Sequence, residues 1–122
     1  MPEIDPNKPL PIITERKIVA RSRFFAVEQV DLTFSNGATR EFDRMAGQGR
    51  GAVMVVPFAD PEHILLIREY GAGTHRYELG FPKGLIDASE APEEAANREL
   101  KEEIGFGSND IRFLTQVSMA PT

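Results

Sequence analysis

The chain contains 122 residues, carries a formal net charge of −5 and has no cysteine. This length supports one domain, or one small domain with an N-terminal extension. The negative charge argues against a nucleic-acid backbone as the main partner, because such binding requires clustered Lys and Arg. It does not exclude a phosphorylated small molecule, since bound cations can reverse the local charge of an acidic site. The missing cysteines exclude a disulfide framework, a thiolate zinc site and a cysteine nucleophile.

The sequence contains no targeting or membrane-spanning pattern. No basic start is followed by an apolar segment, and no apolar run reaches about 18 residues. We therefore expect a cytoplasmic protein.

The first 46 residues are predicted to form an arm and a small β subdomain. Residues 1–13 contain four prolines and little apolar periodicity, which predicts an extended or disordered arm. From Ile18 to about Met45 the pattern is that of strands, and Asn36-Gly37 lies between two alternating runs. Asn-Gly in that position is a strong hairpin signal. The sequence therefore predicts a small antiparallel sheet within residues 14–46.

Residues 47–122 have the pattern of a larger domain. After a loop that begins at Gly47, Ala52–Phe58 is almost continuously apolar, which is typical of a strand buried on both faces. His63–Tyr70 is predicted to be its partner strand, after a turn at Asp60-Pro61. Two further strands and one helix are predicted over Tyr77–Leu79, Ile111–Ser118 and Glu90–Ile104.

Three carboxylates lie on one face of the predicted helix. At about 100° per residue, Glu102 and Glu103 fall within about 60° of Glu99, one on each side. Like charges at this spacing repel. A hard divalent cation such as Mg²⁺, which prefers oxygen ligands, would compensate for the repulsion. The alternative is a solvated acidic face, and a bare E-x-x-E-E pattern does not distinguish the two.

The residues around the helix distinguish these alternatives. Gly84, Glu90 and the segment Arg98–Phe106 fit the pattern G-x5-E-x7-R-E-U-x-E-E-x-G-U, in which U is apolar. All specified positions are filled, so the chain resembles the Nudix hydrolase superfamily. Beyond the pattern, a resemblance to the NudE-type ADP-compound hydrolases runs from about Ile18 to Pro121. It rests on the stretches VARSRFFAVEQVDLTFSNG, AVMVVPF, ILLIREYGAG, YELGFPKGLID, AANRELKEEIGFG and FLTQVSMAP.

The resemblance implies an α/β fold (α+β, with a mixed sheet), arranged as a Nudix α/β/α sandwich with a small antiparallel N-terminal sheet. It also implies a Mg²⁺-dependent hydrolase, with Mn²⁺ as an alternative metal. Such an enzyme cuts the pyrophosphate of ADP-ribose, NADH and dinucleoside polyphosphates and releases AMP.

The resemblance also implies the metal ligands and the catalytic residues. The ligands would be Glu99, Glu102 and Glu103, with the backbone carbonyl of Lys83 or Gly84. Two further residues would assist, since Arg98 can orient a carboxylate and Glu90 can reach either Arg98 or the metal. The general base is left open between Glu102, Glu103 and a glutamate in a later loop of related enzymes.

Three residues outside the pattern are candidate substrate contacts. Arg44 and Arg68 are suited to bidentate phosphate contacts, and Glu78 lies on a short strand before Gly84. Exposed strand charge is the alternative for the two arginines. The sequence R-E-Y-G from Arg68 lacks the second arginine of the R-Q-Y/F-R pattern found in many ADP-ribose hydrolases. This difference weakens the transfer of their ribose-phosphate contacts.

Three expectations concern the whole chain. Family members usually continue beyond the motif M-A-P at 119–121, so we expect a Nudix domain that is truncated at its C-terminus. The resemblance also implies a homodimer formed through the N-terminal sheet, with a nucleoside diphosphate as the small-molecule substrate. The alternatives to an ADP-compound hydrolase are a Nudix-fold binding or regulatory module without turnover, and a hydrolase of another nucleoside diphosphate sugar.

Overall fold

The computed structural model describes residues 5–47 and 50–119. The start of the predicted arm, part of the loop after Gly47 and most of the M-A-P motif lie outside these residues. The chain divides into two compact units, Gln48–Gln116 and a second that combines Met1–Gly47 with Val117–Thr122.

The described residues form a sheet-dominated α+β structure with nine strands and one helix. Their bounds are β1 (Ile12–Arg21), β2 (Ala26–Thr33), β3 (Thr39–Met45), β4 (Ala52–Met54), β5 (Phe58–Asp60), β6 (His63–Ile64), β7 (Ile67–Gly71), β8 (Arg76–Gly80), β9 (Lys83–Leu85) and α1 (Pro92–Glu103). The helix in the part of the chain that the structure describes is too short to cross a membrane.

The N-terminal unit is a three-stranded antiparallel sheet in the order β1-β2-β3, as predicted. The predicted strand start at Ile18 is wrong, because β1 begins at Ile12 and pairs along the whole of β2. The predicted hairpin at Asn36-Gly37 connects β2 to β3. Gly37 has φ +84°, and its N–H donates to the Phe34 carbonyl at 2.9 Å. A residue without a Cβ suits this left-handed position.

Three antiparallel ladders form the sheets of the second unit: β4 with β9, β5 with β6, and β7 with β8. The predicted pairing of Ala52–Phe58 with His63–Tyr70 is wrong over most of its length, since only β5 and β6 fold back on each other. Pro57 interrupts the apolar run because proline has no N–H to donate to a ladder. The run therefore divides into β4, which pairs with β9, and β5.

The prediction that Ala52–Phe58 is buried on both faces is also wrong. Val53 and Val55 are half-buried, whereas Met54, Val56 and Phe58 are exposed. Among the described residues of this unit, nothing covers the second face. The alternation of half-buried and exposed residues shows that this segment is buried on one side only.

The predicted strand over Ile111–Ser118 is wrong. The structure assigns no strand there, and Phe113 and Leu114 are exposed. An apolar segment becomes a strand only where a sheet edge is available to pair with it. Within the described ranges no edge pairs with this segment.

The predicted helix is confirmed, with bounds of Pro92–Glu103. Ala95, Ala96 and Leu100 are buried and form the core-facing side of the helix. Gly105 follows the helix with φ +91°, a left-handed conformation in which a glycine commonly ends a helix. The helix packs against β9 and β4.

Candidate active site

The first glycine of the sequence pattern lies against the middle of the helix. Gly84 is in β9, and Glu99 is one of the buried residues of α1. A Cβ atom added at Gly84 would overlap the carboxylate group of Glu99. Glycine is therefore required for the strand backbone to approach this carboxylate.

Glu103 lies one turn further along the same face of α1. Its Oε2 atom is buried and has no hydrogen-bond partner among the described residues. Burial raises the pKa of the Glu103 carboxyl, and the charges of Glu69 and Glu99 raise it further. The backbone amide and the ammonium group of Lys83 lower it. A buried carboxylate oxygen without a donor is costly unless it is protonated or binds a cation.

Arg98 connects the helix to the loop that precedes it. Its Nη2 atom donates to Glu90 Oε1 at 2.6 Å and to the Leu85 carbonyl at 2.9 Å. Its Nη1 atom donates to Glu99 Oε1 at 2.9 Å. Hydrogen bonding to Glu90 raises the pKa of Arg98, and the same bond lowers the pKa of Glu90. Of the two placements that the sequence left open for Glu90, the structure shows contact with Arg98.

Glu102 differs from its two neighbours. Its side chain is 58% exposed, and Oε2 lies 3.5 Å from Arg98 Nη1. The structure therefore brings together Glu99, Glu103 and the Lys83–Gly84 backbone, with Glu102 at the margin.

The donor set fits a hard divalent cation. Carboxylate and carbonyl oxygens are the ligands that Mg²⁺ prefers, and Mg²⁺ keeps several waters, so it does not need a complete protein cage. Within residues 5–47 and 50–119, no three Asp, Glu or His side chains already converge closely enough to enclose an ion. The three predicted ligands Glu99, Glu102 and Glu103 therefore do not form such a group in the described residues.

Sequence reasoning missed Glu69, which lies beside this cluster. Its Oε1 atom accepts a hydrogen bond from Lys83 Nζ at 2.6 Å. On β7, Glu69 shares the half-buried face with Ile67 and Gly71. A charged residue at an inward position of an alternating strand is a signal that could have identified it.

The three predicted substrate contacts have different environments. Glu78 on β8 accepts hydrogen bonds from Thr74 Oγ1 at 2.7 Å and Arg76 Nε at 2.5 Å. Arg68 on β7 is exposed. Arg44 belongs to the N-terminal unit, where its Nε atom donates to Glu28 Oε2 at 2.8 Å.

The chain matches two family models. The chain matches the NUDIX domain model over residues 49–122 and the model of the NudE-type Nudix hydrolase N-terminal domain over residues 11–44. The first match covers more than half of the chain, so the protein belongs to the Nudix family. The predicted resemblance is confirmed.

Individual relatives are similar over most of this chain. ADP compounds hydrolase NudE of Escherichia coli (strain K12) is 60% identical over 112 residues, which cover 92% of this chain and 60% of that protein. ADP-sugar pyrophosphatase of Mus musculus is 28% identical, covering 98% of this chain and 58% of that protein. A crystal structure of an ADP compounds hydrolase superposes with a TM-score of 0.83 at 60% identity, over 91% of this chain and 60% of that one. This chain therefore spans about 60% of the length of these relatives.

Proposed function

We propose that the protein is a Mg²⁺-dependent Nudix hydrolase that cuts the pyrophosphate bond of ADP-containing metabolites. The substrates in this proposal are ADP-ribose, NADH and dinucleoside polyphosphates, and the products are AMP and a phosphorylated remainder. The observation that supports it most is the Glu99 carboxylate at Gly84 beside the buried, unpartnered Oε2 of Glu103. The names of the relatives, ADP compounds hydrolase and ADP-sugar pyrophosphatase, support the substrate class.

In this proposal, Glu99 and Glu103 hold Mg²⁺ or Mn²⁺ together with the carbonyl of Lys83 or Gly84, and Glu102 contributes from its exposed position. When bound, such a metal would lower the pKa of the attacking water and neutralise charge on the diphosphate. Glu102 and Glu103 are the candidate general bases in the described chain.

Arg98 and Glu90 act by orienting the ligands. Glu90 holds one edge of the Arg98 guanidinium, so the Nη1 atom stays directed at Glu99. A carboxylate oriented in this way does not have to be ordered again when a cation arrives.

We propose Arg68 and Glu78 as substrate contacts in the second unit. Support for Arg68 is its exposed guanidinium, which suits a phosphate. Support for Glu78 is its position on β8, where it accepts a hydrogen bond from Thr74 of the loop between β7 and β8. Arg44 is a separate proposal, because it lies in the other unit and is paired with Glu28.

The direct test is release of AMP from ADP-ribose, NADH and diadenosine triphosphate, assayed in parallel with Mg²⁺. The complete product of the gene should be used, with Glu99→Gln as the inactive control and Asp110→Asn as a control for surface-charge loss. Hydrolysis of at least one of the three supports the proposal. Binding of all three without turnover favours a Nudix-fold binding module, and turnover of only another nucleoside diphosphate sugar changes the substrate class.

The domain division, assembly and location predicted from the sequence are part of the same proposal. Family-model matches over 11–44 and 49–122 support an N-terminal subdomain at 14–46 and a Nudix domain at 47–122. The predicted arm at 1–13 is too long by two residues, because β1 begins at Ile12. Exposure of Phe24 and Phe25 supports a homodimer formed through the N-terminal sheet. Light scattering on a size-exclusion column would test the dimer, and cell fractionation would test the cytoplasmic location.

A further inference from the structure

The Lys83 side chain is a cation beside the carboxylates that are proposed to hold a metal. The pKa of the Glu103 carboxyl is raised by burial and by the charges of Glu69 and Glu99, and it is lowered by the Lys83 backbone amide and ammonium group. A lysine ammonium is a compact charge on a flexible stem. If it were free, it could pair with Glu103 and occupy the oxygens that a divalent cation needs.

Glu69 binds this ammonium group. Glu69 Oε1 lies 2.6 Å from Lys83 Nζ, a short charge-assisted hydrogen bond. Lys83 lies on β9 and Glu69 on β7, so the bond joins two sheets of the same unit. The side chains of Lys83 and Glu69 are 51% and 43% exposed, so the contact does not serve to fill a buried core.

Glu69 and its neighbour on the next strand are both paired with a cation. Glu69 lies directly opposite Glu78 in the β7–β8 ladder, and side chains of directly opposed residues share one face of a sheet. Like charges in this position are unfavourable. Each has a separate cation, Lys83 for Glu69 and Arg76 for Glu78. Two acidic residues on adjacent strands therefore share one face of the β7–β8 ladder, each paired with its own basic residue.

We propose that Glu69 is a positioning residue of the metal site, which tethers and neutralises the Lys83 ammonium so that it does not compete with the cation for Glu103. This inference rests on the proposed function, since it concerns the same cation. Glu69 acts through Lys83 and is not itself a ligand.

The test measures Mn²⁺ binding in the absence of substrate. The concentration of free Mn²⁺ is read from its electron paramagnetic resonance signal. Four proteins are compared with the wild type: Glu69→Gln, Lys83→Met, the double variant and Asp110→Asn. The last breaks the exposed Asp110–Arg112 ion pair of the same unit and serves as the matched control. Thermal unfolding of each variant checks that it is folded.

We expect Glu69→Gln to weaken Mn²⁺ binding about five- to tenfold, as for one uncompensated unit charge several ångströms from a divalent cation. The double variant should return to within about twofold of the wild type, because the competing ammonium is gone and the local charge is balanced again. Asp110→Asn should bind as the wild type does. In turnover assays, Glu69→Gln should raise the Mg²⁺ concentration needed for half-maximal rate more than it lowers the rate at saturating Mg²⁺.

Two outcomes overturn the inference while leaving the proposed function intact. One is wild-type Mn²⁺ affinity in Glu69→Gln. The other is a double variant as weak as Glu69→Gln, which would make Glu69 a ligand or a purely structural residue. No Mn²⁺ binding by the wild type would instead remove the cation from the proposed function, and this inference with it.

Discussion

In the folded protein, the surroundings of Glu103 destabilise the charged form of its carboxyl group. Burial, followed by the charges of Glu69 and Glu99, raises its pKa above the ordinary value of 4.5. A carboxyl with a raised pKa stabilises the fold most at low pH, and this contribution is lost as pH rises through the folded-state pKa. A cation that binds to Glu103 would offset the cost.

Glu103→Gln should therefore separate stability from activity. We expect a higher melting temperature than the wild type at pH 7 in EDTA, because the uncompensated negative charge is gone. The rate of AMP release should fall by about tenfold or more, because a metal ligand is lost. Calorimetry and the AMP assay measure the two effects, with exposed Glu102→Gln as the comparison for stability. A lower melting temperature, or an unchanged rate, would contradict the assignment of Glu103.

Glu90 should show the opposite dependence on pH. Hydrogen bonding to Arg98, followed by that to the Asp87 amide, lowers its pKa below 4.5. Its contribution to stability is therefore complete above pH 4.5 and is lost as pH falls through the lower folded-state value. Glu90→Gln should lower the free energy of unfolding at pH 7. Below pH 4.5, the free energy of unfolding of this variant should fall less steeply with pH than that of the wild type.

Urea unfolding between pH 2.5 and 7 would measure this difference. Glu62→Gln, which removes an exposed carboxylate from the β5–β6 turn, controls for the loss of charge. If the free energy of unfolding changed with pH in the same way for the wild type and Glu90→Gln across this range, the prediction would be contradicted.

At the scale of elements, the helix start is incompletely capped. Ala91 occupies the N-cap with φ −76° and ψ 159°, and its N–H donates to Glu94 Oε1 at 3.2 Å. This is one half of a capping box, since an alanine side chain cannot accept the reciprocal bond from the backbone of Glu94. The backbone geometry suited to a cap is already present.

Ala91→Ser should complete this capping box. We expect the free energy of unfolding to rise by about 1 kcal/mol, because the serine hydroxyl would satisfy a helix N–H that alanine leaves without a side-chain acceptor. Urea unfolding measures the gain, and Ala91→Ser combined with Glu94→Ala should retain only part of it. Equal stability of Ala91→Ser and the wild type would show that water already satisfies this N–H as well as a hydroxyl would.

The elements also show which features local patterns can predict. The helix and the Gly37 hairpin were predicted because they depend on periodicity and on a backbone conformation that glycine allows. The partner of β4 was predicted wrongly, because strand pairing depends on which edges meet after folding. The strand over Ile111–Ser118 failed for the same reason: its apolar residues have no edge to join among the described residues.

At the scale of the whole molecule, large apolar side chains are exposed in both units. In the second unit, the exposed fractions of Phe58, Leu79, Leu85 and Leu114 all exceed 60%. Residues of this type usually lie inside proteins, and contiguous exposed patches bind other apolar surfaces. The chain of 122 residues should therefore bind the dye ANS strongly at pH 7.

Fluorescence titration with ANS, combined with light scattering, measures this expectation. Strong dye binding by a monomer would agree with it. Weak dye binding by a dimer would mean that a second copy covers these surfaces. Weak binding by a monomer would contradict the exposure of these side chains.

The sequence by itself determined the family, the helix and the residue types that gather around a cation, because these depend on spacing along the chain and on the chemistry of single side chains. Only the tertiary structure decided which of the three helix glutamates face the Gly84 backbone, that Glu90 contacts Arg98, and that Glu69 holds Lys83. These contacts join residues from different strands and the helix, and no local periodicity encodes which of them meet.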